Sequence, residues 1–230
     1  TVEKKEGHLK HDKRYLIVDL PGIYSLSPYT LEEVVTRDYL LDGRPDLIID
    51  VVDSTNLERN LYLTTQLIET GIPVVIALNM MDITEKRGDV IDVLALSHSL
   101  GCPVVPTSAV TSDGLKELVR VALQMIEKAQ SVAKTATFSK PVEYALGKIG
   151  AFLEGNVPPE TLRWYAIKLF ERDGKVLARL NLGETRLQEI ETIILQVESE
   201  TDDASEGLVT NDRYEYLSAI TMRTHRQAKK

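Results

Sequence analysis

Residues 15–27 read Tyr-Leu-Ile-Val-Asp-Leu-Pro-Gly-Ile-Tyr-Ser-Leu-Ser. This is an apolar run that stops abruptly at Asp19-Leu20-Pro21-Gly22 and passes into small, hydroxyl-bearing residues. Tyr15, Leu16, Ile17 and Val18 have the length and β-branched content of a buried parallel strand covered on both faces, where alternation is not required. Asp19 then stands at the carboxyl end of that strand. Open α/β sheets bind ligands at this end, where a carboxylate can hold Mg²⁺ through water while the Gly22 amide approaches a phosphate. A strand that merely ends in a Pro-Gly turn is the competing reading, and the rest of the chain decides between them.

Upstream, Thr1–Lys13 is polar and reads as an edge strand antiparallel to the Tyr15 strand. Sheets rarely begin on a charged edge, so a further element is expected ahead of it. Downstream, Thr30–Leu41 reads as a helix with Thr30 as N-cap and Glu32 and Glu33 suiting the positive end of its dipole. Leu47–Asp53 is a second buried-type strand. Asn56–Thr70 is an amphipathic helix with Leu57, Leu61, Thr64, Leu67 and Ile68 on one face, stopped by Gly71-Ile72-Pro73. Pro73–Leu78 is a third strand and Val104–Pro106 a fourth, with a short helix closing at Leu100 between them. Gly114–Ala129 is again helical. Alternating strands and helices predict a mostly parallel sheet with helices on both faces. Past Ser131–Ser139 the strand signal vanishes. Val142–Leu153, Thr161–Glu171, Arg186–Glu198 and Arg213–Arg226 are helical by period, separated among others by Gly174 and the acidic stretch Glu198–Glu206. Two domains follow, residues 1–134 (α/β) and 135–230 (a small all-α bundle), with Trp164, Tyr165, Ile167, Leu169 and Phe170 as bundle core.

With 230 residues the chain can bury a real core. Its 27 Lys and Arg against 35 Asp and Glu leave a net charge of -8, which disfavours nucleic acid as a partner. The single cysteine, Cys102, permits no internal disulfide and suits a reducing compartment. No apolar run is long enough to cross a bilayer. His8, His11, His98 and His225 are scattered without ligand spacing, and the acidic stretch reads as a solvated loop.

The polar residues that end successive strands carry the chemistry. Asn79-Met80-Met81-Asp82 follows the third strand. A carboxylate at Asp82 can accept from both N1–H and the 2-amino group of guanine, a donor pair adenine lacks, and Asn79 would brace that loop. Ser108-Ala109 follows the fourth strand and would offer a backbone N–H to the guanine O6. Local turn hydrogen bonding is the alternative for each segment alone.

In this order the three segments resemble the translation-factor-like class of small GTPases, a P-loop-NTPase-like fold. Longer stretches resemble the cytoplasmic N-terminal region of the prokaryotic ferrous-iron transporter family FeoB: EKKEG at 3–7, DLPGIYSLSPY at 19–29, RDYLL at 37–41, the run from Val51 to Asp82, and WYAIKLFERD at 164–173. The resemblance implies a G domain followed by a helical domain that stabilises bound GDP. It also implies GTP and GDP with Mg²⁺ as ligands, K⁺ as an activator, and a membrane-embedded iron-permease region of the same polypeptide as partner. A homo-oligomer and a place at the cytoplasmic face of the inner membrane follow from it as well. Carried over by residue, Asp19 and Thr1 hold Mg²⁺, and Gly22 senses the γ-phosphate within a switch loop of Gly22, Ile23, Tyr24 and Ser25. Asn79, Met80 and Asp82 read guanine, with Ser108 and Ala109 supporting the base.

Two departures stand out. No Gly-x-x-x-x-Gly-Lys phosphate loop occurs in the chain, so it is expected to be inactive alone. Ile23 stands where Ras-like enzymes carry a water-orienting glutamine, as in this family. The resemblance implies slow GTP hydrolysis coupled to Fe²⁺ uptake. In the alternative, GTP occupancy rather than turnover gates transport.

Overall fold

The computed structural model describes residues 5–10, 12–27, 30–128 and 133–228, so Thr1 lies outside the described residues. Contacts divide the chain into two compact units at Pro45/Asp46, and each is described by itself.

In the first unit β1 (Lys5–Leu9) and β2 (Asp12–Asp19) form an antiparallel ribbon, Lys5 opposite Asp19 and Gly7 opposite Ile17. The expected edge strand is present. The expected burial of its partner is not: β2 pairs with β1 alone among the described strands, and Leu16 and Ile17 are 52% and 48% exposed. An apolar run reports a capacity for burial, and here the described residues give it one neighbour on one edge. After the loop, α1 (Leu31–Asp38) starts at a capping box. The Thr30 hydroxyl accepts from the Glu33 N–H at 3.2 Å and the Glu33 carboxylate accepts from the Thr30 N–H at 3.0 Å. A single wide turn of π type, Tyr39–Gly43, follows.

The second unit runs, in order, β3 (Ile48–Asp53), α2 (Leu57–Glu69), β4 (Val74–Asn79), α3 (Met81–Lys86), β5 (Val90–Ile91), α4 (Val93–Leu100), β6 (Val104–Pro106) and α5 (Leu115–Glu127). Strands β3, β4 and β6 make a parallel sheet in that order, with Asp53 level with Asn79 and Leu78 level with Pro106. β4 is central and its apolar run is buried on both faces. Val75, Ala77 and Val105 pack on Leu118, Ala122 and Met125 of α5. Val74, Ile76 and Leu78 point the other way by strand alternation, to the side where α2 bonds the sheet through Thr64. β3 departs from the buried-type expectation. Among the described strands it pairs with β4 alone, and it alternates, with Ile49 and Val51 exposed and Asp50 and Val52 buried.

Asp50 is the polar exception in this layer. The Thr64 hydroxyl donates to its carboxylate at 2.5 Å, yet burial dominates and pushes the acid up to about 6. The same burial, with Asp50 nearby, pushes the Cys102 thiol up to about 12. A raised carboxyl pKa means that the folded protein holds the proton more tightly. The stabilisation is full below the ordinary value of 3.8 and is lost as pH rises through about 6. Asp50→Asn keeps an acceptor for Thr64 and cannot ionise. Relative to the parent, urea unfolding should find it gaining about 2–3 kcal/mol between pH 4 and pH 7. A pH-independent difference would show Asp50 to be solvated.

After residues 133–139, which hold neither helix nor strand, come α6 (Lys140–Leu153), α7 (Leu162–Phe170), α8 (Gly174–Leu180), α9 (Glu184–Thr201), α10 (Ser205–Thr224) and β7 (His225–Arg226). Trp164, Tyr165, Ile167, Leu169 and Phe170 are buried, as their period predicts. Three expectations are corrected here. Gly174 opens a helix instead of separating two, because the Asp173 carboxylate caps the Lys175 and Val176 N–H groups. Glu198–Glu206 is no acidic loop; Asp202–Ala204 alone breaks α9 from α10. Within that stretch the Arg172 guanidinium bonds Glu198 and holds its carboxyl down to about 2. The helix expected to reach Arg226 ends at Thr224, where the chain turns extended and pairs with β5. Among the described residues no helix is long and apolar enough to cross a membrane.

Candidate functional site

Five sequence-selected residues lie in one loop of the first unit. Asp19 ends β2 with its side chain exposed. Gly22 is exposed, and a Cβ built there meets nothing within 4 Å. Neither backbone angle nor packing within the chain requires glycine at that place, so what a bare backbone offers is close approach by something else. Ile23 is half-buried and Tyr24 is 68% exposed. The Ser25 hydroxyl donates to the Ser27 hydroxyl at 3.0 Å and accepts from the Ser27 N–H at 3.1 Å, a tight local turn. The Thr36 hydroxyl reaches the Pro21 carbonyl from α1 at 3.4 Å.

The other five are brought together at the carboxyl edge of the parallel sheet. Asn79 closes β4, and its side-chain oxygen accepts from the Ala109 N–H at 3.0 Å, 30 residues on. Met80 has φ +63, uncommon for a residue with a side chain, and turns the chain sharply into α3. The Met81 N–H donates to the Thr107 carbonyl at 3.3 Å, a second tie between the two loops. Asp82 sits in the first turn of α3, where the helix dipole favours a negative charge. Its carboxylate lies 3.7 Å from the Lys86 ammonium, which is itself mostly exposed, so the pair is weak and the carboxylate can exchange partners. Ser108 is buried, its N–H donating to the Asp113 carbonyl at 3.1 Å, and Ala109 is exposed beside it. Gly114 makes this loop possible: its φ is +74 and a Cβ would lie 2.0 Å from the Pro106 carbonyl oxygen.

One pair was not legible in the sequence. Ser54, just after β3, and Thr84, two residues after Asp82, share a hydrogen bond of 2.6 Å between their hydroxyls, both fully buried. It anchors α3 to the end of the neighbouring strand. Small hydroxyl residues are too common for their spacing to have signalled it.

A carboxylate in the first turn of a helix presents two acceptor oxygens, and the asparagine brace ties the loop before it to the Ala109 segment. A planar heterocycle with adjacent N–H donors matches that carboxylate. Together with a parallel α/β sheet carrying its polar residues at the strand ends, this defines a G domain, the guanine-nucleotide class of P-loop-NTPase-like folds, with a helical domain after it. Residues 1–122 match the family model described as ferrous iron transport protein B, and residues 138–226 match the FeoB cytosolic helical domain. The chain belongs to the FeoB family.

Among its relatives are the Fe(2+) transport protein A/Fe(2+) transporter FeoB fusion protein of Porphyromonas gingivalis, 38% identical over 247 residues, and the Fe(2+) transporter FeoB of Escherichia coli, 36% identical over 225. The alignments take in 100% and 96% of this chain but 29% and 28% of those proteins, so the chain spans under a third of the curated relatives it matches. Two solved structures are similar throughout. The mGMPPNP-bound NFeoB of S. thermophilus gives TM-score 0.91 at 45% identity, covering 100% of this chain and 87% of that one. NFeoB of the same organism bound to GDP.AlF4- and K+ gives 0.92 at 47%, covering 96% and 86%.

Proposed function

We propose that the chain is the cytoplasmic guanine-nucleotide-binding region of a ferrous-iron transporter, lying at the inner face of the membrane. It binds GTP with Mg²⁺ in the longer protein, hydrolyses it slowly, and uses the cycle to gate Fe²⁺ passage through a membrane-embedded part of the same polypeptide. Residues 1–134 are the G domain and 135–230 the helical domain. The observation that carries this reading is the base loop itself: Asn79 locked to the Ala109 amide, with Asp82 in the first turn of the helix that follows.

The local geometry of each loop supports the roles proposed for it. Asp82 accepts from the two guanine donors, and the Ser108-Ala109 loop, tied to the base loop through Asn79, supports the base. Gly22, bare and exposed, admits a phosphate oxygen to its amide. Asp19, exposed at the end of β2, offers a hard carboxylate oxygen to a Mg²⁺ that retains several waters. Such a cation neutralises phosphate charge when bound. K⁺, present in one solved relative, is a second proposed cation. Ile23 favours a second reading. Its apolar side chain cannot orient water, so occupancy alone could set the gate; sustained iron uptake with a non-hydrolysable GTP analogue matching that with GTP would select this reading.

The base assignment is tested by Asp82→Asn in the longer polypeptide. Loss of a charge-assisted contact should weaken GDP by about 1.5–3 kcal/mol, roughly ten- to hundredfold, and move preference toward xanthine nucleotides. Unchanged GDP affinity in a folded variant would remove Asp82 from the site.

A further inference from the structure

The end of the described chain returns to the segment that follows α3. Beyond Thr224, the C-terminal residues pair antiparallel with β5, Arg226 opposite Val90 and His225 opposite Ile91. The Asp92 N–H donates to the Thr224 carbonyl at 2.7 Å. One turn further, the Ala228 N–H donates to the Asp89 carboxylate at 2.9 Å, and the methyl of Ala228 lies 3.2 Å from where a Cβ on Gly88 would stand. These contacts grip the segment that closes α3, since the Asp89 N–H itself donates to the Thr84 carbonyl at 3.1 Å. Thr84 is also the residue tied to Ser54. From the tail to Asp82 there is thus an unbroken series of contacts: Ala228 to Asp89, Asp89 to Thr84, and Thr84 to the helix turn that carries the carboxylate.

The two ends of this connection differ in strength. α10 is held firmly upstream, where buried Arg213 bonds Glu69 of α2. The β5–β7 ribbon has two residues a strand, well short of what is stable alone, so it opens at low cost while α10 stays docked. The hinge lies at His225, where helical backbone gives way to φ -125, ψ 122.

We propose that residues 225–228 act as a releasable strap on the base loop: docked on β5 they hold α3 and Asp82 in the guanine-binding arrangement, and undocked they loosen it and speed nucleotide release. The inference rests on the guanine reading of Asp82. It adds to that reading a route by which the far end of this region regulates occupancy without displacing the helical bundle.

The test removes the strap's two N–H groups and leaves everything else. In Arg226→Pro/Ala228→Pro, amide hydrogen exchange across residues 81–91 of the 230-residue chain should quicken about tenfold, with β4 and the middle of α10 unchanged. The control Arg226→Lys/Ala228→Gly keeps both N–H groups and should match the parent. In the longer polypeptide the proline variant should release a fluorescent GDP faster by a similar factor. Unchanged exchange at 81–91 would overturn the strap, and faster exchange with unchanged release would overturn its regulatory role. A parent protein that holds no guanine nucleotide would instead strike at the reading of Asp82 and take this inference with it; the exchange result, which needs no nucleotide, tells the two failures apart.

Discussion

Arg213→Ala should be the most destabilising single substitution in the second unit, lowering urea stability by about 3–5 kcal/mol. Arg213 is 1% exposed and Glu69 2%. The guanidinium meets the carboxylate through two bonds of 2.6 and 3.0 Å and donates to the Thr65 hydroxyl at 2.8 Å. The Tyr62 and Phe138 rings lie 5.5 and 5.3 Å from its centre. Forming such a pair yields little net stability, because desolvating both ions costs about as much as their attraction returns. Removing one partner is different, since the other remains buried and uncompensated. The double variant Arg213→Met/Glu69→Leu should therefore recover most of the loss. If Arg213→Ala cost less than about 1 kcal/mol, water would have to reach Glu69 freely, and the packing described for α2 against α10 would be wrong.

The 230-residue polypeptide, prepared to begin at Thr1, should neither hydrolyse GTP nor bind GDP tightly. On the proposed reading its base loop supplies contacts to guanine alone. Phosphates in this fold class are normally held by the amides and lysine of a Gly-rich loop, and no such run occurs between Thr1 and Lys230. Each missing charge-assisted contact removes about 1.5–3 kcal/mol, so several together weaken binding by many orders of magnitude. Calorimetry and phosphate release on a mass-verified preparation provide the measurement. Micromolar GDP binding or steady turnover would sink the expectation, whereas activity confined to a longer polypeptide would support it.

What was legible in the sequence was whatever a local pattern encodes. β4, α2 and α5 declare themselves through apolar runs and helical period, and the Thr30–Glu33 capping box is written in four residues. Asn79 and Ala109, which the structure ties together, were singled out with Asp82 because the residues at successive strand ends are informative in an α/β chain. Partners distant in sequence were hidden. Leu16 and Ile17 have the chemistry of buried residues, but burial is a property of what covers them. His225 and Arg226 continue a helical period, and the edge of β5 overrides it. Nothing in the surroundings of Arg213 distinguishes it from a solvent-facing arginine, because its carboxylate lies 144 residues earlier. Thr1, taken from the resemblance as a metal ligand, lies outside the described residues.

That separation of 144 residues sets a timetable for biosynthesis. At the roughly 5–20 residues per second of translation, Glu69 emerges about seven to thirty seconds before Arg213. During this interval α2 carries a carboxylate with no counter-ion, on a face that is otherwise ready to pack. The nascent G domain is therefore kept from closing that face in a wrong association, since burying the bare charge would cost several kcal/mol. Its final docking waits for α10 to leave the ribosome, so the order of assembly is written into a single ion pair.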